Sequence, residues 1–135
     1  MCGIVGLVSP HLDASDRVRA SNACMAHRGP DADHVHRELH GESAVVLGHR
    51  RLAIIDLSDR LQQPMVSGSG ALAITYNGEI YNYRELRSEL EAAGLKFFSD
   101  SDSEVLLRAW EHWGEQSIHK FVGMFAFAVY ERSSS

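Results

Sequence analysis

The apolar positions fall into short runs divided by Gly, Pro and Ser, and the period of the pattern changes midway along the chain. Residues 2–8 are short, rich in β-branched side chains and punctuated by glycine, which predicts a buried strand. Asp13 to Met25 predicts a helix, with Asp13 and Ser15 as candidate N-caps. It must stop before His27-Arg-Gly-Pro30, where Gly and Pro end regular structure. Strands are predicted near 34–39 and 43–49, and Leu52 to Ile55 is a third apolar stretch. Gln63-Pro64 and Ser67-Gly-Ser-Gly70 read as loop, and Ala71 to Tyr76 predicts a strand that stops at Asn77-Gly78.

The second half turns helical. Asn82 to Ala93 carries Tyr83, Leu86 and Leu90 on one face, a capping-box-like pair in Asn82 and Glu85, and Gly94 at the C′ position. Ser101 to Trp113 follows, with Leu106, Ala109, Trp110 and Trp113 spaced for a core stripe. Gly123 to Tyr130 alternates like a strand with an apolar Ala face. Strands come first and a helical pair lies in the second half, so the pattern predicts an α+β fold rather than alternating βαβ units.

Composition changes this picture little. The 135 residues make one domain at most, with ordinary apolar and charged fractions. A net charge of −5 disfavours nucleic acid, because phosphate contact needs clustered Lys and Arg, and Arg50-Arg51 is too small a patch. No apolar run approaches the ~20 residues of a membrane helix, and the N-terminus lacks the features of a signal peptide. Cys2 and Cys24 match no redox or zinc spacing. The expected setting is a reducing cytoplasm in which Cys2 stays a thiol.

The candidate chemistry begins at Cys2. Once Met1 is removed, a thiol and a free α-amine share one residue, and an amine with a pKa of roughly 7.7–8.0 can serve as general base for its own nucleophile. The alternative is a small buried residue at the start of a strand. Attack on an amide would need donors for an oxyanion, and Asn77-Gly78 at a strand end offers a side-chain amide and a backbone N–H. The same dipeptide is also a strong hairpin signal. Arg51, set among apolar residues, suits a carboxylate. Asp102 and Glu79 suit an ammonium, although Asp102 also fits simple helix capping. His34, His36 and His40 could line a strand face as metal ligands, but no further ligand completes that set, and solvated or hydrogen-bonded histidines are expected.

Taken in order, Met1-Cys-Gly-Ile-Val-Gly6, His27-Arg-Gly-Pro-Asp31, Arg51-Leu-Ala-Ile-Ile-Asp56, Gln63-Pro64, Tyr76-Asn-Gly-Glu-Ile-Tyr-Asn82, Ser101-Asp-Ser-Glu-Val105 and Gly123-Met-Phe-Ala-Phe-Ala128 resemble the glutaminase domain of class II glutamine amidotransferases, the asparagine synthetase branch above all. The resemblance implies an N-terminal-nucleophile hydrolase fold, an αββα sandwich. It implies hydrolysis of L-glutamine to L-glutamate and ammonia through a thioester at Cys2. Asn77 and Gly78 would form the oxyanion hole and Arg51 would hold the substrate carboxylate. Asp102 and Glu79 would hold its ammonium, and the backbone at Ile54 and Ile55 would line the pocket. His27 to Asp31 would be a structural turn near the nucleophile. No metal or organic cofactor is expected for this reaction, since ATP and magnesium belong to the synthetase half.

Two departures accompany the resemblance. Residues 1–135 stop short of the family's last strands, so a C-terminally truncated domain is expected. No Ser-Gly-Gly-x-Asp-Ser-like ATP loop occurs, so the ammonia would pass to a synthetase domain or subunit elsewhere. A non-catalytic glutamine-binding or interaction module and an inactive remnant stay open as alternatives, as does a homodimer.

Overall fold

The computed structural model describes residues 2–11, 14–52 and 62–132. In chain order the elements are β1 (Gly3–Ser9), α1 (Ser15–Cys24), β2 (Ala32–His40), β3 (Ser43–Arg51), β4 (Met65–Val66), β5 (Leu72–Ile80), α2 (Tyr83–Ala92), α3 (Asp102–Trp113), a 3₁₀ helix (Gly114–Lys120) and β6 (Gly123–Glu131). The chain divides into two compact units, Met1–Asn77 with Ala126–Ser135, and Gly78–Phe125. Strands β5 and β6 each contribute residues to both.

In the first unit, β3 is the centre of an antiparallel sheet ordered β1-β3-β2. Six consecutive residues, Ala44 to His49, are buried. A strand covered on both faces needs such a continuous run, because its side chains point alternately to either side. The even positions face α1. Ala44 and Val46 pack with Ala14 and Val18, and Val5, Leu7 and Val35 close the cluster. Gly48 is required here: a Cβ would lie 2.7 Å from Val5, 2.8 Å from Asn22 and 2.9 Å from Val18. The odd positions face the other way, toward β5. Thr75 Oγ1 donates to the Gly48 carbonyl at 3.1 Å, and His49 Nε2 meets the Tyr76 carbonyl at 3.2 Å. This unit therefore stacks a helix, a sheet and a second sheet.

Helix α1 is weakly specified by its own sequence. Its N-cap is Ala14, with no side-chain cap, and Ser15 is the first helical residue. The candidate cap Asp13 lies outside the described residues. The helix is held instead by buried Val18 and by Asn22, whose amide donates to Asp33 Oδ1 at 2.8 Å and to the His34 carbonyl at 3.2 Å.

The second sheet is ordered β4-β5-β6. Contrary to the turn expected there, Asn77-Gly78 makes no hairpin, and β5 runs on to Ile80. The glycine permits close strand approach rather than a reversal. At Gly78 a Cβ would stand 2.3 Å from the Met124 carbonyl, and Gly78 sits at φ +155°. In β6, Met124 and Ala126 of the Ala face are exposed and Ala128 is half-buried, while Phe125 packs edge-on to Phe121 with centroids 5.8 Å apart.

In the second unit, the inward stripe of α3 is Val105, Leu106, Leu107 and Ala109; Trp110 and Trp113 are only half-buried. The pair Leu86 and Leu90 of α2 is buried as the spacing predicts. Asn82 sits at the N-cap of α2, but its side chain makes no cap hydrogen bond. Its amide donates to the Lys120 carbonyl at 2.9 Å and its oxygen accepts from Val122 N–H at 3.0 Å, clipping the end of the unanticipated 3₁₀ helix. Gly94 and Gly114 follow α2 and α3 with positive φ, as helix ends favour.

Candidate active site around Cys2

Cys2 precedes β1, and its position is set by three contacts. Arg28 Nε donates to the Cys2 carbonyl at 3.1 Å. Gly3 lies under Met25, whose sulfur would be 3.1 Å from a Cβ there. The register Gly3↔Arg50, carried one residue back, sets Cys2 across from Arg51, and the Leu52 N–H donates to Cys2 Sγ at 3.4 Å. The thiol of Cys2 is half-buried. Cys2 and Cys24 are both free thiols.

The turn His27 to Asp31 is the structural element that orders this corner. Gly29 presses on the Arg50–Arg51 peptide so closely that a Cβ would lie 2.5 Å from the Arg50 carbonyl. Asp31 N–H donates to the Arg51 carbonyl at 3.0 Å. The two arginines then separate by strand alternation. Arg50 is a structural residue: Nε donates to the Gly29 carbonyl at 2.9 Å and a guanidinium nitrogen lies 3.1 Å from Asp33. Arg51, half-buried, takes the opposite face of β3, the one it shares with His49.

Asn77 shares a face of β5 with Thr75, the face turned toward β3. The backbone just before it is held by side chains. Tyr76 N–H donates to Gln63 Oε1 at 2.6 Å, and Tyr76 C=O accepts from His49 Nε2 at 3.2 Å. His49 is 2 % exposed. Burial pushes its pKa down to about 4, against the opposing pull of the Tyr76 carbonyl and with a further push from the charges of His34 and Arg51. It is therefore neutral near pH 7 and protonated on Nε2, the only tautomer that can donate to a carbonyl.

In the second unit, Gly78 and Glu79 continue β5, with Glu79 exposed. Asp102 Oδ2 accepts from Ile80 N–H at 3.1 Å, so the structure brings Asp102 to the strand end beside Glu79. Helix capping falls to its neighbour instead: Ser101 Oγ accepts from Glu104 N–H. Glu104, 3 % exposed, reaches back to the Phe98 and Ser99 amides at 2.9 and 2.7 Å and to the Ser99 hydroxyl at 2.7 Å. Ile54 and Ile55 lie outside the described residues.

Two of the histidines of β2 are hydrogen-bonded. His36 pairs with Glu38 at 3.0 Å, Glu38 also pairs with Arg132, and His40 meets the Tyr130 hydroxyl at 3.2 Å. Among the described residues no group of three His, Cys, Asp or Glu is placed to hold a metal ion, and no helix is long and apolar enough to cross a membrane. Sequence reasoning overlooked His49. Its signal was present as a lone polar side chain in an inward slot of the apolar run 44–49.

The chain is 41% identical over 138 residues to an asparagine synthetase [glutamine-hydrolyzing] 1 of Bacillus subtilis, covering 98% of this chain and 21% of that protein. It is 36% identical over 145 residues to a putative asparagine synthetase [glutamine-hydrolyzing] of Mycobacterium tuberculosis, covering 97% of this chain and 22% of the relative. The chain thus spans about a fifth of the length of these curated relatives. Among solved structures, the glutamine phosphoribosylpyrophosphate amidotransferase of B. subtilis superposes with a TM-score of 0.78 at 20% identity, over 98% of this chain and 35% of the other. That likeness shows the fold, an α+β N-terminal-nucleophile hydrolase type. Since the family model described as "Glutamine amidotransferase domain" matches residues 1–135, the chain belongs to that family.

Proposed function

We propose that this chain, as a glutaminase domain spanning residues 1–135, hydrolyses L-glutamine to L-glutamate and ammonia. The observation that carries the reading is the seat of Cys2, with its thiol on the Leu52 N–H and Arg51 across the strand pair. Removal of Met1 frees the Cys2 amine, which takes the thiol proton directly or through a water. Sulfur attacks the substrate γ-carboxamide carbon, and the oxyanion that forms is stabilised by the Asn77 side-chain amide and the Gly78 N–H. The protonated amine returns its proton to the leaving nitrogen, ammonia departs, and a γ-glutamyl thioester remains. Water then adds to the thioester carbonyl with the amine again as base, and L-glutamate leaves as the Cys2 thiol is restored.

In this reading Arg51 binds the substrate α-carboxylate and Asp102 with Glu79 binds the α-ammonium, while the backbone at Ile54 and Ile55 lines the pocket. The hydrolysis requires no metal or organic cofactor. The ammonia passes to an ATP-dependent synthetase domain or subunit, as the names of the relatives suggest for the whole proteins. The setting is the cytoplasm, with neither nucleic acid nor membrane as partner.

The test is intact mass before and after incubation with a diazo-ketone analogue of glutamine. Loss of Met1 and a single adduct on Cys2, absent in Cys2→Ala, is the expected result. A retained Met1 or no adduct would leave a glutamine-binding module and refute the catalytic reading.

A further inference from the structure

Strand β4 covers β5 only briefly, pairing Met65 with Ile74 and Val66 with Ala73. Extended backward, that register would set Pro64 against Thr75 and Gln63 against Tyr76. Pro64 has no N–H to donate, and a ladder ordinarily breaks at such a residue. At that position two side chains meet the Tyr76 peptide groups: Gln63 Oε1 accepts from Tyr76 N–H and His49 Nε2 donates to Tyr76 C=O. The next residue is Asn77.

We propose that His49 is a positioning residue for Asn77, acting through the Tyr76 carbonyl. The peptide unit is planar, so the plane that carries the Tyr76 oxygen also carries the Asn77 nitrogen and ends at the Asn77 Cα. A donor that fixes the oxygen fixes the direction in which Asn77 leaves the strand. His49 is itself held from both sides. Asn22 of α1 donates to the carbonyls of His34 and His49 at 3.2 and 3.5 Å, and Thr75 Oγ1 bonds the adjacent Gly48 carbonyl. The polar chain Asn22–His49–Tyr76 therefore runs from the outer helix through one sheet into the other and ends beside Asn77. Burial keeps the imidazole neutral, so the Nε2 donor persists over the whole neutral range.

The catalytic consequence rests on the reading of Asn77 as an oxyanion donor. Displacement by about 1 Å from productive geometry can cost about a hundredfold in rate, comparable to losing a donor outright. The experiment compares His49→Gln, whose terminal amide can still donate to the Tyr76 oxygen, with His49→Leu, which fills the site without a donor. Thermal melts set the folded fraction of each, and NMR reads the Tyr76 carbonyl carbon and the Asn77 amides. We expect His49→Leu to shift or broaden those resonances and to lower kcat for L-glutamine by about tenfold to a hundredfold, with KM within about twofold. His49→Gln should restore both. If His49→Leu does not fold, His49→Asn, too short to reach the carbonyl, takes its place.

Unmoved Asn77 resonances in a folded donorless variant would overturn the proposal, as would His49→Gln behaving like His49→Leu. Full activity in Asn77→Ala would instead remove Asn77 from the oxyanion hole, and the resonances would still decide whether His49 holds that peptide.

Discussion

Acidification should destabilise this fold through one buried imidazole. The unfolded chain takes up a proton at His49 near 6.5, whereas the folded chain resists until about 4, because burial disfavours the charged ring and the charges of His34 and Arg51 add to the effect. Between those values the unfolded state binds more protons, so stability falls as pH falls. The contribution is complete above about 6.5, is lost through the window down to about 4, and changes no further below it. At ~1.4 kcal/mol per pH unit the whole loss is ~3 kcal/mol, a large fraction of an ordinary domain stability of about 5–15 kcal/mol. Protonation would also place a second N–H on Nδ1, a buried atom without a hydrogen-bond partner among the described residues. The assay is urea unfolding across this pH range for the wild type and for His49→Gln, which keeps a donor but cannot titrate. Carboxylates and the other histidines contribute to both, so the difference between the two profiles isolates His49. The wild type should lose ~3 kcal/mol more than the variant between about pH 6.5 and about pH 4. Parallel profiles would refute the reasoning.

Two further outcomes are expected. Arg51→Ala should raise KM for L-glutamine by about tenfold or more with kcat little changed, as loss of ground-state carboxylate binding does, and steady-state kinetics with a wild-type KM would take Arg51 out of the pocket. Glu104→Ala should cost about 2–4 kcal/mol, because it strands the Phe98 and Ser99 amides that the buried carboxylate now satisfies. A denaturant midpoint close to that of the wild type would refute this.

Much of the proposed site is read along the chain, because the chemistry proposed for it depends on residue type. A Cys behind the initiator Met, an Arg in an apolar stretch and an Asn-Gly at the end of a β-rich run each announce what they can do. Their ordered motifs identified the family. The local rules erred where a side chain was recruited by a distant segment. Asn82 reads as a cap but clips Lys120 and Val122, some forty positions away in the chain. Asn77-Gly78 reads as a turn, yet β6 lies against it and keeps the strand extended. The tryptophans of α3 match the helical period, but the buried stripe is offset to Val105, Leu106 and Leu107.

The sequence by itself therefore determined most of the strands and helices and which functional groups the chain carries. Periodicity and residue chemistry are local properties, readable over a few positions. Only the tertiary structure decided which of two adjacent arginines is a strut and which faces the second sheet. It also decided that a histidine within an apolar run grips the carbonyl before Asn77. Both outcomes depend on strand register and on where a short edge strand stops. These follow from pairing and burial between segments far apart in the chain, whose energies no local window contains.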